Sequence, residues 1–359
     1  MKISHFLFTC LFLTGILACK DDVVEEMPEF DPSPYFLDYG DFPAPNLPAD
    51  NALTNQKVEL GRMLFHEKDL SGDGTQSCAD CHLQGDGFSD RRQFSVGIDQ
   101  IAGRRNAMAL INLAWHESAF FWDGRSPTLR DQALLPIQDP IEMHETLENV
   151  INKLSSSKTY TDQFIRAFGD NEITSERIAM AIEQFEITLV SNNSKYDQFL
   201  RGETTLTESE ERGRKLFFAE FDARGIEKGA ECFHCHGGFN FTNDRFMNNG
   251  LDTDAEFSDL GLFEVSQKSG DKAKFKVPTL RNIAQTGPFM HDGRFQTLRE
   301  VLEHYNSGAK YSSTVDILMM NNLEPGLGLS EEDLTDLENF LLTLTDEDFL
   351  NNPKHSSPF

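Results

Sequence analysis

The chain has 359 residues, with 59 acidic against 32 basic side chains and a formal charge of −27. So acidic a chain repels polyphosphate, which excludes nucleic acid as a partner, while its length admits two domains of ordinary size. Of six cysteines, Cys10 and Cys19 lie in the leader and the rest fall in two short motifs, so none remains for a structural disulfide.

Residues 1–18 read as an export signal. Lys2 precedes an apolar run from Phe6 to Ala18, too short for a permanent membrane span. The run ends Ile16-Leu17-Ala18-Cys19, which resembles a bacterial lipobox and implies acylation of Cys19. The expectation is an exported lipoprotein, held by a lipid anchor on the periplasmic or cell-surface side of a membrane. An ordinary secretory signal with an incidental cysteine is the alternative. Residues 19–50 are acidic and proline-rich (Pro28, Pro32, Pro34, Pro43, Pro45, Pro48) and read as a tether.

Beyond residue 50 the pattern is helical. Ile178, Ala181, Ile182, Phe185 and Leu189 keep helical spacing on one face. Thr207-x-x-Glu210 and Ser330-x-x-Asp333 are helix starts, and a last helix is expected near 331–344. No long alternating run argues for a sheet.

Two CxxCH pentapeptides, CADCH at 78–82 and CFHCH at 232–236, carry the chemistry. Each offers two thiols for haem vinyl groups and one histidine for iron, the c-type attachment spacing. A zinc or redox-disulfide pair is the bland alternative, but no partner CxxC follows at finger spacing. The surroundings recur as well. ELGRMLF at 59–65 matches ERGRKLF at 211–217, and WDGRSPTLRDQ at 122–132 matches HDGRFQTLREV at 291–301. The reading is two haem domains related by internal duplication, 51–203 and 204–347, with a tail at 348–359.

Placing the two DGR segments in register sets Trp122 on His291 and Pro136 on Tyr305. If this helix covers the distal face of each haem, Tyr305 offers iron a phenol oxygen and Pro136 offers nothing. One iron would be closed and one open, and an open iron binds small molecules. Met290, Met319, Met320 or His304 are the other candidates for the closing ligand.

GRMLFHEKDLSGDGTQSCADCH, RRNAMALINLAW, FFWDGRSPTLRDQALLPIQDPIEM, CFHCHGG, FKVPTLRNIAQTGPFMHDGRF and TLREVLEHYNSG together resemble the bacterial dihaem cytochrome c peroxidase and MauG family over roughly 55–345. The resemblance implies an all-α fold of two cytochrome c-like haem domains facing each other. It implies that Cys78, Cys81 and His82 hold the peroxidatic haem, and that Cys232, Cys235 and His236 hold the electron-transfer haem. Gln132 and Glu142 match the distal pocket of the peroxidatic haem, Trp122 the indole between the haems, and Asn106, Thr286 and Pro288 a calcium site, with Pro288 acting through its carbonyl. Homodimers are common among such relatives.

Two departures stand out. Family peroxidases carry a blocking histidine in the loop after the first CxxCH, but residues 83–103 contain none. Those peroxidases also use methionine where Tyr305 stands, and Tyr305 matches MauG. The resemblance therefore implies hydrogen peroxide reduced to water with electrons from a small cytochrome c or cupredoxin. The alternatives are MauG-like oxidation of a partner protein and a non-enzymatic dihaem carrier.

Among the remaining histidines, His66 reads as packing, His144 and His355 as surface, and His291 as a hydrogen-bonding neighbour of a propionate. His116 is a candidate for a distal role, whereas His234 lies inside a motif without being its ligand. Arg91, Arg92, Arg104 and Arg105 are either propionate partners or solvated loop charge.

Overall fold

The computed structural model describes residue 1 and residues 27–359 apart from 223 and 225–227. Residues 2–18 of the leader and Cys19 lie outside the described residues. Twelve helices are described: α1 (Asn55–Phe65), α2 (Leu129–Gln138), α3 (Leu147–Ser155), α4 (Lys158–Phe168), α5 (Ser175–Ile187), α6 (Lys195–Leu200), α7 (Glu208–Phe218), α8 (Phe233–His236), α9 (Phe263–Ser266), α10 (Leu298–Glu303), α11 (Glu331–Leu342) and α12 (Glu347–Leu350). A two-residue antiparallel pair, β1 (Phe246–Met247) with β2 (Phe275–Lys276), is the one sheet among the described residues. No described helix is long and apolar enough to cross a membrane.

Two helix pairs organise the chain, α1 against α5 and α7 against α11. The expected caps form: Thr207 accepts from Glu210 N and Ser330 from Asp333 N. Each pair crosses at a glycine. A Cβ on Gly61 would stand 1.9 Å from Ala181 O, and one on Gly213 would stand 1.9 Å from Asp336 O. Only hydrogen fits between the backbones there. Ile178, Ala181, Ile182 and Phe185 bury as their spacing requires.

The helical expectation fails over most of 66–128 and 237–297, where the described residues form loops and short turns broken only by α9 and the β1–β2 pair. These stretches wrap two cavities, and their side chains face cavity walls rather than a neighbouring helix. The tether reading also fails from residue 27 on. Asp31 N donates to Arg166 O, Trp115 Nε1 donates to Pro43 O at 2.7 Å, and Phe42 packs on Phe239 and under Arg281. Nor does packing change hands at residue 203. Tyr196 of α6 already belongs to the core around Phe217 and Phe340. Phe349 and Leu350, expected to sit at the start of a tail, pack in the core around Phe65 and Phe88.

Candidate functional site: two cavities behind the CxxCH motifs

Both pentapeptides form a tight turn that sets their residues on a cavity wall. Cys78, Cys81 and His82 line the first cavity, and Cys232, Cys235 and His236 line the second. His82 Nδ1 lies 2.8 Å from Phe88 O, and His236 Nδ1 lies 3.1 Å from Phe241 O. A carbonyl only accepts, so Nδ1 carries the proton and Nε2 is the nitrogen with a lone pair for metal. Burial holds both imidazoles below the usual value, His236 at about 4, which keeps them in the neutral, ligating form. Two thiols and a neutral imidazole on one largely apolar wall are the donor set of a c-type haem.

The opposite walls differ. Thr128 caps α2 and Thr297 caps α10 in the same way, each accepting from the N–H three residues on. With these caps in register, Gln132 matches Val301 and Pro136 matches Tyr305. Pro136 lines the first cavity and Tyr305 the second. Tyr305 stands in a wide π-turn, His304–Gly308, directly after α10. Asn249 Nδ2 donates to its phenol oxygen at 3.2 Å, and burial pushes the phenol up to about 12. His304 is turned away and donates from Nε2 to Asn249 O. Met290 and Met319 share the second cavity, whereas Met320 is exposed and does not line it.

The first cavity is polar on its far side. Gln132 and Glu142 both line it. Gln132 Oε1 is buried without a hydrogen-bond partner, so the cavity holds an acceptor suited to a polar occupant. Burial first, then neighbouring Asp139, raises the Glu142 carboxyl, with Arg125 opposing. Glu186, on α5, escaped the sequence reading. It is 4% exposed, its Oε2 has no partner, and burial pushes it up to about 8. The signal was present, since Glu186 follows Phe185 on the buried side of α5 as Leu341 follows Phe340 on α11.

Between the cavities stands Trp122, which lines both and donates from Nε1 to Asn106 O at 2.8 Å. Lys276 N donates to the Trp122 carbonyl. The buried Lys276 ammonium pairs with Asp244 and donates to Ser118 Oγ. His116 lines the first cavity, with Nδ1 3.4 Å from Asp244, and burial holds it at about 4. Asn106, Thr286 and Pro288 all line the second cavity. The Asn106 amide nitrogen donates to the carbonyls of Arg92 and Gln93, which leaves its oxygen as the donor a cation would use.

Arg91 and Arg92 are held by Asp86 and Asp90 and do not line the first cavity, whereas Arg104 and Arg105 do. Arg105 is itself forked onto Asp259 and paired with Asp123. The loop after the first motif brings Gln93, Phe94, Ser95 and Val96 to the cavity wall and no imidazole with them. His291 lines both cavities and stacks on Phe275 at 3.6 Å. His66 packs beside Phe65 and Phe185. His144 is exposed against Asp99, and His234 pairs with Glu220. His355 corrects the surface expectation: it is 4% exposed and lies between Phe88 and Phe349.

Residues 55–205 match the family model described as di-haem cytochrome c peroxidase. The methylamine utilization protein MauG of Methylophilus methylotrophus is 36% identical over 284 residues, which are 77% of this chain and 81% of that protein. The cytochrome c551 peroxidase of Nitrosomonas europaea is 37% identical over 249 residues, covering 68% of this chain and 71% of the relative. A solved structure described as a MauG-like protein associated with microbial copper homeostasis superposes with a TM-score of 0.80 at 34% identity, covering 88% of this chain and 97% of the other. Identity at that level, over more than two thirds of both chains, makes this chain a member of the dihaem cytochrome c peroxidase family, oxidoreductases that carry two c-type haems and act on peroxide.

Proposed function

We propose that this chain reduces hydrogen peroxide at the first cavity, with electrons that a small redox protein delivers through the second. The observation that carries this reading is the pairing of Pro136 with Tyr305: a side chain without a donor atom lines the cavity of His82, and a phenol lines the cavity of His236.

Cys78, Cys81 and His82 would hold the first haem, and Cys232, Cys235 and His236 the second, with Tyr305 as its further ligand. Haem held there would supply the redox chemistry that the chain itself lacks. The chain handles protons and position. Glu142, its carboxyl raised by burial, would take a proton at its carboxylate from one peroxide oxygen and return it to the other. The Gln132 carbonyl oxygen, without a protein partner, accepts a hydrogen bond from peroxide or from a pocket water and so orients it. Trp122, on both cavity walls, is the path between the haems. The balance is one peroxide, two electrons and two protons to two waters.

A second reading has the same oxidising power turned on a partner protein, as in MauG. Tyr305 and the histidine-free loop 83–103 favour it. We also read the two halves as products of an internal duplication, since their capped walls and glycine crossings correspond. Asn106, Thr286 and Pro288 fit calcium as oxygen donors lining one cavity, and Cys19 fits a lipid anchor for an exported protein.

Electron paramagnetic resonance of the ferric protein tests the central claim. One high-spin and one low-spin haem are expected. Two low-spin signals would return the chain to a carrier, or to a peroxidase that needs reductive activation.

A further inference from the structure

The residue that fixes each proximal histidine is itself in an unfavourable conformation. Phe88 accepts the His82 proton with φ at +57°, and Phe241 accepts the His236 proton with φ at +49°. Side chains other than glycine and asparagine rarely adopt this left-handed region. Such a residue persists when its surroundings over-determine it, and here each phenylalanine ring is buried.

What buries the rings comes partly from the other half. Phe88 packs on Phe65 of α1 at 6.0 Å, but also on Phe349 of α12 at 5.7 Å and His355 at 6.1 Å. Phe241 packs on Phe217 of α7 at 5.9 Å and on Tyr196 of α6 at 5.7 Å. α6 follows the helix pair of the first half and covers the second motif. α12 follows the helix pair of the second half and covers the first. The two segments touch where they cross, for Ser191 Oγ donates to Asp346 Oδ2 at 3.0 Å and Asn193 N donates to the same oxygen at 2.9 Å. Beyond α12 the chain stays fastened to the first half. Gln84 donates to Asn352 O, Arg62 to the carbonyls of Pro353 and Ser356, and His66 to His355 O.

We infer that these crossed segments position the haem-ligating histidines reciprocally: Phe349 and His355 hold Phe88 and through it His82, while Tyr196 holds Phe241 and through it His236. They are positioning residues, since they act through the carbonyl that orients each imidazole. A firm N–H···O=C bond makes the ring a stronger donor to iron, and a loosened one weakens it. The inference rests on the reading of His82 and His236 as iron ligands.

The test uses the full-length, haem-loaded protein and reads each haem separately. Resonance Raman of the reduced protein reports the iron–histidine stretch at His82, and electron paramagnetic resonance reports the low-spin g-values of the His236 haem. Phe349→Ala should lower the stretching frequency and leave the g-values in place. Tyr196→Ala should move the g-values and leave the stretch. His355→Ala should lower the stretch and His355→Phe should restore it, and this pair carries the test if Phe349→Ala fails to fold. An unmoved stretch in both Phe349→Ala and His355→Ala would overturn the inference, as would equal movement of both signals in each variant. Absence of any iron–histidine band in the wild type would instead defeat the ligand reading.

Discussion

The two cavities are built alike on one wall and unlike on the other. Behind each lies a CxxCH turn, a histidine tied to a left-handed phenylalanine and a helix pair crossing at glycine. Facing it, two matched positions change character together, Gln132 against Val301 and Pro136 against Tyr305, and a third on the helix pair itself changes with them, Glu186 against Leu341. The first cavity takes two polar groups and loses the one donor that would cap an iron. The second gains that donor and is otherwise apolar there. On the function proposed above, one scaffold would hold a reactive haem beside a haem that only passes electrons, with one wall fixing binding and the other deciding access.

The comparison breaks most directly at Pro136. Pro136→Tyr places in the first cavity the side chain that stands in the second. Peroxide consumption should fall to background, and the high-spin resonance should be replaced by a second low-spin signal. Retained turnover would mean that the distal wall does not control access. Glu142→Gln is the next largest effect. Both haems should remain bound while the peroxide reaction slows by about 10²–10⁴-fold, the usual range for a proton-transferring side chain. The pH profile has a definite sign. Because the Glu142 pKa lies above 4.5 and the carboxylate is the working form, the rate should fall as pH drops through that raised value. A wild-type profile flat down to pH 4 would remove Glu142 from the reaction.

Tyr305→Met sharpens the comparison from the other side. A thioether in place of a phenol oxygen should raise the potential of the His236 haem by on the order of 0.1 V, within the roughly 0.8 V that axial ligands span. The first reaction with peroxide should change less than about tenfold. Redox titration of the two haems checks this, and an unchanged potential would point to Met290 or Met319 as the ligand.

Much of this was legible in the chain. The CxxCH spacing, the capped helix starts and the repeated DGR segments are all local patterns, and the caps at Thr207 and Ser330 form as theirs requires. The failures share a cause. Residues 27–50 are held by contacts such as Phe42 on Phe239 and Trp115 to Pro43 O, which leave no periodic trace in an acidic, proline-rich stretch. His355 looked like surface because it is near a terminus, yet a contact across the whole chain buries it. The repeated glycine of ELGRMLF and ERGRKLF was visible as a match, but its reason is a backbone oxygen on a helix more than a hundred residues away.

Glu186 gives the smallest effect and the finest test of the difference between the cavities. In the unfolded chain its carboxyl titrates near the usual 4.5, and in the folded chain near 8. Between those values the native state binds the extra proton, so stability should decline as pH rises from about 4.5 to 8 and level off above. Glu186→Leu installs the residue of the second cavity and removes that slope. The variant should match wild type near pH 4.5 and exceed it by up to a few kcal/mol at pH 8, read as unfolding temperature of the haem-loaded protein at both pH values. An identical slope in the two proteins would mean that Glu186 is satisfied in the loaded cavity, and that the polar difference between the cavities lies with Gln132 and Glu142 alone.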